Sequence, residues 1–543
     1  MLIMLRRGLL GLALSLCVAA TAHAQSSDNS TLNDKVFAAY QGWFHCPGDP
    51  GPNGNWFHWS YVSQLVPDAS MVSVPGYPIT DEYPAESRCP VPGLTVNGQQ
   101  AYFFTSLALG TAETHFRWMR EYGVDGAMLQ RFIGSVQSYY DENDIVLRNA
   151  FQAAQDNGRS IMIEYDMSGN FNDTHSQAEE DALFTQVTKD WTHLVNDLHI
   201  LDNPRYQKHN GKPVVALWGM GRPADELWGM KPALARRVIA WFKDTALTTV
   251  IGGVSPYWME LPEWKDVLAM LDVIQPWNVG AYSNDADLDW QLQNRIKPQL
   301  AATTASGQLY MPTVLPATSG RDQSNGNLPT VGAHSLGGSF FWHQAYDDRA
   351  AGVRTIKIAM FDEVGEGTSL LKLASNASET PSQIQWVSLD VDGLRLPHDW
   401  NLRIAHEIGN LYHGIAGYTR DTPTDPGPFD LSIPECGVLG PNQLVTVSTP
   451  VFSCDGHTSL RQEDDGTAGL YRDGTRTATI GQPGKSHGNL IMQGDGNFVS
   501  YDASGNGLWS TSTENHTGAY LYVANDGGVR VIYEGAAIWQ SPN

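Results

Sequence analysis

Thr355-Ile356-Lys357-Ile358-Ala359-Met360-Phe361 runs straight into Asp362-Glu363-Val364-Gly365-Glu366-Gly367-Thr368, and this junction of an apolar run with an acidic turn decides the fold. The run 355–361 reads as a buried parallel strand, apolar on both faces. Seven similar runs precede it, at 36–43, 126–132, 160–165, 213–218, 248–254, 272–276 and 309–314. Longer amphipathic patterns lie between them, at 112–122, 142–156, 179–198, 232–243, 288–302 and 340–351. Strand-then-helix units repeated in this way predict an α/β fold, a closed (β/α)8 TIM barrel over residues 30–417.

A barrel of this kind carries its active site at the C-terminal ends of its strands, so those ends form a list of candidates. They hold Tyr40 and Trp43, Gln130 and Arg131, then Glu164, Tyr165 and Asp166. Trp218, Tyr257, Trp258 and Trp277 follow, and the last strand ends in Asp362, Glu363 and Glu366. Aromatic faces stack on pyranose rings, while carboxylates and amides bond sugar hydroxyls, so the set predicts a polysaccharide or oligosaccharide substrate. Any one Trp alone reads as core packing; the coincidence at many strand ends favours binding. A long Pro- and Gly-rich insertion between Trp43 and Thr105 carries Cys46, Cys89 and the cluster Trp56, Phe57, His58 and Trp59, and is expected to be an ordered wall beside the pocket.

The 543 residues are 42% hydrophobic, enough for a large core and more than one domain. A net charge of −24 argues against nucleic acid as a partner. Residues 1–24 read as a signal peptide: Arg6 and Arg7, an apolar stretch, then Ala22-His23-Ala24 as the cleavage site. The chain is therefore expected to be secreted or periplasmic, without a membrane span, and a monomer. Export places the cysteines in an oxidising compartment. Four cysteines allow three pairings, of which the local ones, Cys46 with Cys89 and Cys436 with Cys454, are favoured because each pair falls in its own region. No metal-type Cys/His spacing occurs, since Asn410 stands where a zinc helix beginning His406-Glu407 needs a second His, and no cofactor is expected.

Residues 418–443 are rich in Pro and read as a linker, and residues 444–543 change to short alternating strands with Gly-Asp-Asn turns. Leu460, Asp465 and Tyr471 recur as Leu490, Asp495 and Tyr501, and loosely as Leu521, Asp526 and Tyr533. Three such units predict a small all-β pseudo-threefold domain, a β-prism, with Trp509 and Trp539 in its core. Alternation places Gln493, Asp495, Asn497, Val499 and Tyr501 on one strand face, where amide, carboxylate and phenol can share the hydroxyls of one sugar.

Two carboxylates three residues apart point to different faces of a continuing strand, but Gly365 and Gly367 permit a turn that brings both towards the barrel axis. Glycoside cleavage commonly uses two carboxyl groups, one protonated and one ionised, and burial beside a like charge separates their pKa values. Away from a strand end, the same residues would read as a solvated acidic turn.

The segment 361–368 resembles the catalytic loop of glycoside hydrolase family 99, the retaining endo-α-mannosidases, whose pattern is N-E-W-H-E-G-T. Glu363, Glu366, Gly367 and Thr368 match, Asp362 replaces Asn, and Val364-Gly365 replaces Trp-His. It also resembles family 71, the endo-α-1,3-glucanases, through N-D-Y-G-E-S. Residues 36 to about 415 resemble bacterial proteins of a family 71/99-like group, with Gly123-Val124-Asp125-Gly126, Gln130-Arg131-Phe132 and Tyr165-Asp166-Met167-Ser168-Gly169 among the shared stretches. The family 99 resemblance implies that Glu363 takes the proton of the sugar 2-hydroxyl, giving a 1,2-anhydro sugar. Glu366 would protonate the leaving oxygen and then activate water. Gln493 to Tyr501 is similar to Q-x-D-x-N-x-V-x-Y, the signature of bulb-type mannose-binding lectins, and implies mannose-type sugars as ligands there. The other two copies, Glu463 to Tyr471 and the one ending Val531 and Tyr533, are degenerate and expected to be structural. The alternatives are an α-1,3-glucanase-like, inverting hydrolase and a carbohydrate-binding protein without catalysis.

Overall fold

The computed structural model describes residues 26–51, 55–136, 140–167, 176–222, 229–394, 396–423, 437–446, 450–453, 457–481, 483, 487–524, 527–533 and 536–541. The expected signal peptide, Cys436 and Cys454 lie outside them. The chain forms two compact units, Met1–Ser388 with Ile408–Arg420, and Leu389–Glu407 with Asp421–Asn543.

The first unit is a barrel of parallel strands: β1 (Lys35–Tyr40), β2 (Gly126–Phe132), β3 (Ser160–Asp166), β4 (Lys212–Met220), β5 (Thr249–Val254), β6 (Val273–Pro276), β7 and β8 (Thr355–Ile358). Strand β7 is one extended run in two hydrogen-bonded pieces. Leu309–Tyr310 pairs with β6, and Thr313–Val314 pairs with β8. Pro312 between them has no N–H to give, and the ladder changes partner there. Because β8 pairs with β1, Lys35 opposite Thr355, the sheet closes. Phe37, Met128, Met162, Ala216, Ile251, Val273 and Met311 form a core cluster with no exposed surface.

Helices cover the outside: α1 (Leu109–Glu121), α2 (Tyr140–Asp156), α3 (Gln177–Asn196), α4 (Pro232–Asp244), α5 (Asp285–Gln291), α6 (Lys297–Ser306) and α7 (Ser339–Ala351). Ser176 and Glu179 form a capping box that starts α3, and Pro232 opens α4. The single helix expected at 288–302 is interrupted by a π-helical turn, Leu292–Ile296.

The insertion is ordered around its own aromatic core. Trp59 stacks on Phe103 at 4.3 Å and lies 4.0 Å from Phe44, beside a hairpin of Arg88–Val96 with Gln99–Phe104. Cys46 is bonded to Cys89. A further hairpin, Thr318–Asp322 with Leu328–Ala333, follows β7 and has no counterpart in the periodicity reading.

In the second unit, three antiparallel sheets of four strands share one core built from Leu460, Leu470, Leu490, Phe498, Leu521 and Val531. Trp509 and Trp539 pack against that core as partly buried side chains. The leading segment gives one short strand to each sheet in turn: Val438–Leu439, Gln443–Val445 and Val451–Phe452. Strand structure thus begins inside the stretch expected as linker. Among the described residues no helix is long and apolar enough to cross a membrane, and no group of three or more His, Cys, Asp or Glu is placed to hold a metal ion.

The Cys46–Cys89 bond closes a loop of 43 residues. Chain entropy over such a loop corresponds to about 4 kcal/mol of unfolding free energy. Replacing both cysteines with Ser is expected to lower the urea midpoint accordingly; an unchanged midpoint would show that the insertion core alone fixes this loop.

Candidate active site

The acidic turn is held at both ends. Phe361 N–H donates to Ala39 C=O at 2.8 Å, and Met360 N–H donates to Thr368 C=O at 2.9 Å, so the two ends of the loop meet over β8 and β1. Asp362 has no exposed surface, and its two carboxylate oxygens accept from the backbone N–H groups of Gln41 and Gly42 at 2.8 Å each. Burial pushes Asp362 up to about 6, against the lowering effect of those amides.

The side chain of Gln41, fastened in this way, acts to lower the pKa of Glu363. Glu363 is only 3% exposed, and its Oε1 accepts from Glu366 N–H at 3.1 Å. Burial first, and the negative charge of Glu366 second, push Glu363 up to about 8, so it keeps its proton at neutral pH. Glu366 opens to solvent, yet the protein around it raises its pKa by desolvation. High exposure with protein close on most sides is the setting of a cleft wall. Gly367 sits at φ +66°, and a β-carbon there would lie 2.6 Å from Ser319 N, the group that donates to Glu366 C=O at 2.8 Å. A side chain at this position would displace the loop.

Deeper in the barrel, Lys357 Nζ lies 2.5 and 2.7 Å from the two oxygens of Glu164, and both side chains are wholly buried. Gln130 Nε2 donates to the same carboxylate at 3.2 Å. The Lys357 ammonium lies 5.1 Å from the centre of the Trp277 ring, and Trp277 meets Trp218 edge to face at 5.8 Å. Trp218 and Trp277 are both half-buried, an aromatic pair above a charged floor.

Several candidates for substrate contact are corrected. Arg131 and Tyr165 alternate with Gln130 and Glu164 and point out of the barrel: Arg131 binds Asp190 of α3 at 2.6 and 2.9 Å and Asp144 of α2 at 3.2 Å, and Tyr165 donates to Asp190 at 2.7 Å. Tyr40 is buried with its hydroxyl 3.0 Å from His115 Nδ1 on α1. Glu164 is a buried ion-pair partner, and Asp362 is a backbone clamp. Trp43 stacks on His58 at 3.7 Å and on Phe132 at 5.1 Å, so protein rings cover it. Asp166 stands buried at the end of β3, Trp258 is half-buried, and Tyr257 is open at the rim. Gln41 and Lys357 belong among the candidates. Lys357 had a visible signal, the one charge in a strand apolar on both faces, which has to find a buried counter-charge.

In the second unit the Gln493–Tyr501 signature does not lie on one strand. Gln493 to Asn497 form the turn between strands His487–Met492 and Phe498–Asp502, closed by Gln493 N–H to Asn497 C=O at 2.8 Å. The turn still gathers the side chains. Gln493 Nε2 donates to Tyr501 Oη at 2.9 Å, which leaves the phenol proton to a ligand, and Asp495 is exposed. Asn497 Oδ1 accepts from Thr511 Oγ1 at 3.0 Å and Thr513 N–H at 3.2 Å, and Val499 is buried beneath. In the first copy the polarity is reversed: Tyr471 Oη donates to Glu463 Oε1 at 2.7 Å, and the Arg461 guanidinium lies 4.6 Å from the centre of the Tyr471 ring.

Fold and site together define a (β/α)8 barrel with paired carboxyl groups at the end of its last strand, followed by a three-sheet β repeat. No protein-family model matches the chain, and no curated protein does. Among solved structures, the chain is similar to the family 99 endo-α-mannosidase of Bacteroides thetaiotaomicron, at 15% identity and a TM-score of 0.50, over 70% of this chain and 98% of that one. That likeness is one of fold. Over its C-terminal part the chain is similar to a lectin of Marasmius oreades (29% identity, 20% of this chain and 92% of that one, TM-score 0.19). A monomeric mannose-binding lectin of Gastrodia elata is also similar (27% identity, 19% and 93%, TM-score 0.18).

The pKa of Glu363 is also a statement about stability. Between its ordinary value of 4.5 and about 8 the folded chain holds a proton that the unfolded chain has lost. The contribution of this group is therefore complete below the lower value and falls as pH rises to the upper one. Glu363→Gln is expected to raise Tm relative to the parent at pH 8, by ~3 °C or more, and to change it little at pH 4.5. A pH-independent difference would contradict the assignment. At the repeat, Asp495→Ala is expected to abolish retention on immobilised mannose without changing Tm; undiminished retention would remove Asp495 from the sugar site.

Proposed function

We propose that the chain is an exported, monomeric glycoside hydrolase that cleaves an α-linked glycan internally with retention, α-mannosides first and α-1,3-glucans second. Its C-terminal unit holds it to mannose-type sugars, raising local substrate concentration without altering the chemistry. One observation carries the reading: Glu363 and Glu366 adjoin at the end of β8, with Glu363 buried and pushed up to about 8. Carboxyl groups splayed into solvent would have suited a binding protein without catalysis. The Cys46–Cys89 bond supports the secreted or periplasmic location after cleavage near Ala24.

In the mechanism that the motif suggests, Glu363 in its ionised form removes the proton of the 2-hydroxyl, O2 closes on the anomeric carbon, and the glycosidic bond breaks as Glu366 protonates the leaving oxygen. Water activated by Glu366 then opens the 1,2-anhydro sugar as Glu363 returns its proton to O2. A base with a raised pKa pulls harder on a hydroxyl than an ordinary carboxylate does. Desolvation of Glu366 favours the proton that an acid must carry. The Gln41 side chain lowers the pKa of Glu363 and so favours its ionised form once the proton has left. Trp218 and Trp277 offer rings for stacking, and Gln130, Asp166, Trp258 and Tyr257 complete the proposed surroundings. Val364 is buried where the mannosidase pattern has Trp, which supports keeping α-1,3-glucan as the second substrate.

The test is hydrolysis across α-mannans and α-1,3-glucans. Glu366→Gln and Glu363→Gln are each expected to lower kcat at least ~100-fold on the substrate the parent cleaves, and the parent to release the α-anomer first. Undiminished turnover in Glu366→Gln would sink the assignment, and release of the β-anomer would replace the retaining step with an inverting one.

A further inference from the structure

Trp290 is the one tryptophan among the exposed large apolar residues of the described chain, 52% exposed on α5. A second exposed ring, Tyr257 from the loop after β5, is 42% exposed. They form one patch because of Arg295, whose guanidinium lies 3.8 Å from the Tyr257 ring centre and 5.3 Å from that of Trp290. Arg295 Nη2 lies 3.5 Å from Glu260, while Nε and Nη1 are buried with no hydrogen-bond partner. Leaving such groups unpaired is unfavourable. Arg295 is delivered by the π-helical turn Leu292–Ile296, an interruption of regular helix of a kind often found at functional sites.

An open indole beside a half-unsatisfied arginine is an unfavourable arrangement for a surface that meets water alone. The surroundings say what would stack on it. Glu260 and Asp289 expose carboxylates next to the rings, and Arg295 and Arg420 balance them; Arg420 donates to Asp289 at 2.7 Å. Rings flanked by balanced acceptors and donors suit a neutral polyol with apolar C–H faces, and suit neither a polyanion nor a hydrophobic protein. Tyr257 belongs to the loop at the C-terminal end of β5, so the patch is continuous with the barrel mouth.

We propose that Trp290, Tyr257 and Arg295 form an accessory platform of the barrel unit on which a neutral glycan chain stacks, running outward from the cleavage site at Tyr257. The substrate class rests on the proposed function; the platform does not need catalysis to be observed. The test is affinity electrophoresis of the full chain carrying Asp495→Ala, which silences the C-terminal site, through gels containing soluble α-mannan or α-1,3-glucan. Retardation of this parent in at least one gel is expected. Adding Trp290→Ala is expected to weaken binding roughly tenfold, and Trp290→Phe to restore most of it. Hydrolysis of a short oligosaccharide should be unchanged in Trp290→Ala, with loss confined to the polymer. Equal retardation of parent and Trp290→Ala, or no retardation of the parent in either gel, overturns the platform. If nothing is hydrolysed but Trp290 still governs retardation, the platform stands and the proposed activity falls.

Discussion

The amides of Gln41 and Gly42 donate to one buried carboxylate, Asp362, and through that pair of hydrogen bonds the last strand of the barrel is fastened to the turn after the first. A carboxylate presents two oxygens, one for each amide, whereas the amide of an Asn presents a single acceptor oxygen. This gives a physical reason for Asp at a position where the mannosidase pattern has Asn. Gly42 turns at φ +64°, and a β-carbon there would meet the Val146 side chain, so turn and clamp require each other. With its backbone fixed, Gln41 stands close enough to lower the pKa of Glu363, and the loop that follows, tied at Met360 and Thr368, holds Glu366 at the rim.

Charge in the barrel is arranged in two tiers. Below, Lys357 is matched by Glu164, and the pair is sealed by Gln130 and Trp277. Removing one partner of such a pair would leave an uncompensated buried charge. Glu363 feels mainly burial and then the charge of Glu366, and its pKa goes up. Burying one carboxyl more completely than its neighbour, beside that neighbour's charge, is what makes two chemically identical groups unequal.

The barrel was legible because strands buried on both faces are apolar throughout, and the eight runs coincide closely with the eight strands. The hairpin 318–333 was not, since its pattern is set by contacts such as Ser319 with the acidic turn rather than by a buried face. Glu363, Glu366, Trp218 and Trp277 stand at the strand ends where the periodicity reading places them. Arg131, Tyr165 and Tyr40 were misread because alternation within a strand decides which neighbour faces the barrel, and a one-residue step moves a side chain to the helix layer. Trp290 escaped because it stands on a helix, where strand-end reasoning does not look.

The central claim is that Glu363 keeps its proton first because it is buried and second because Glu366 stands beside it. Difference infrared spectroscopy of the parent against Glu363→Gln, titrated from pH 4 to pH 10, reads that proton directly. The account predicts a protonated carboxyl band that disappears with an apparent pKa of about 8 and that titrates at lower pH in Glu366→Gln. A band that has already vanished by pH 6, unmoved by Glu366→Gln, would contradict it.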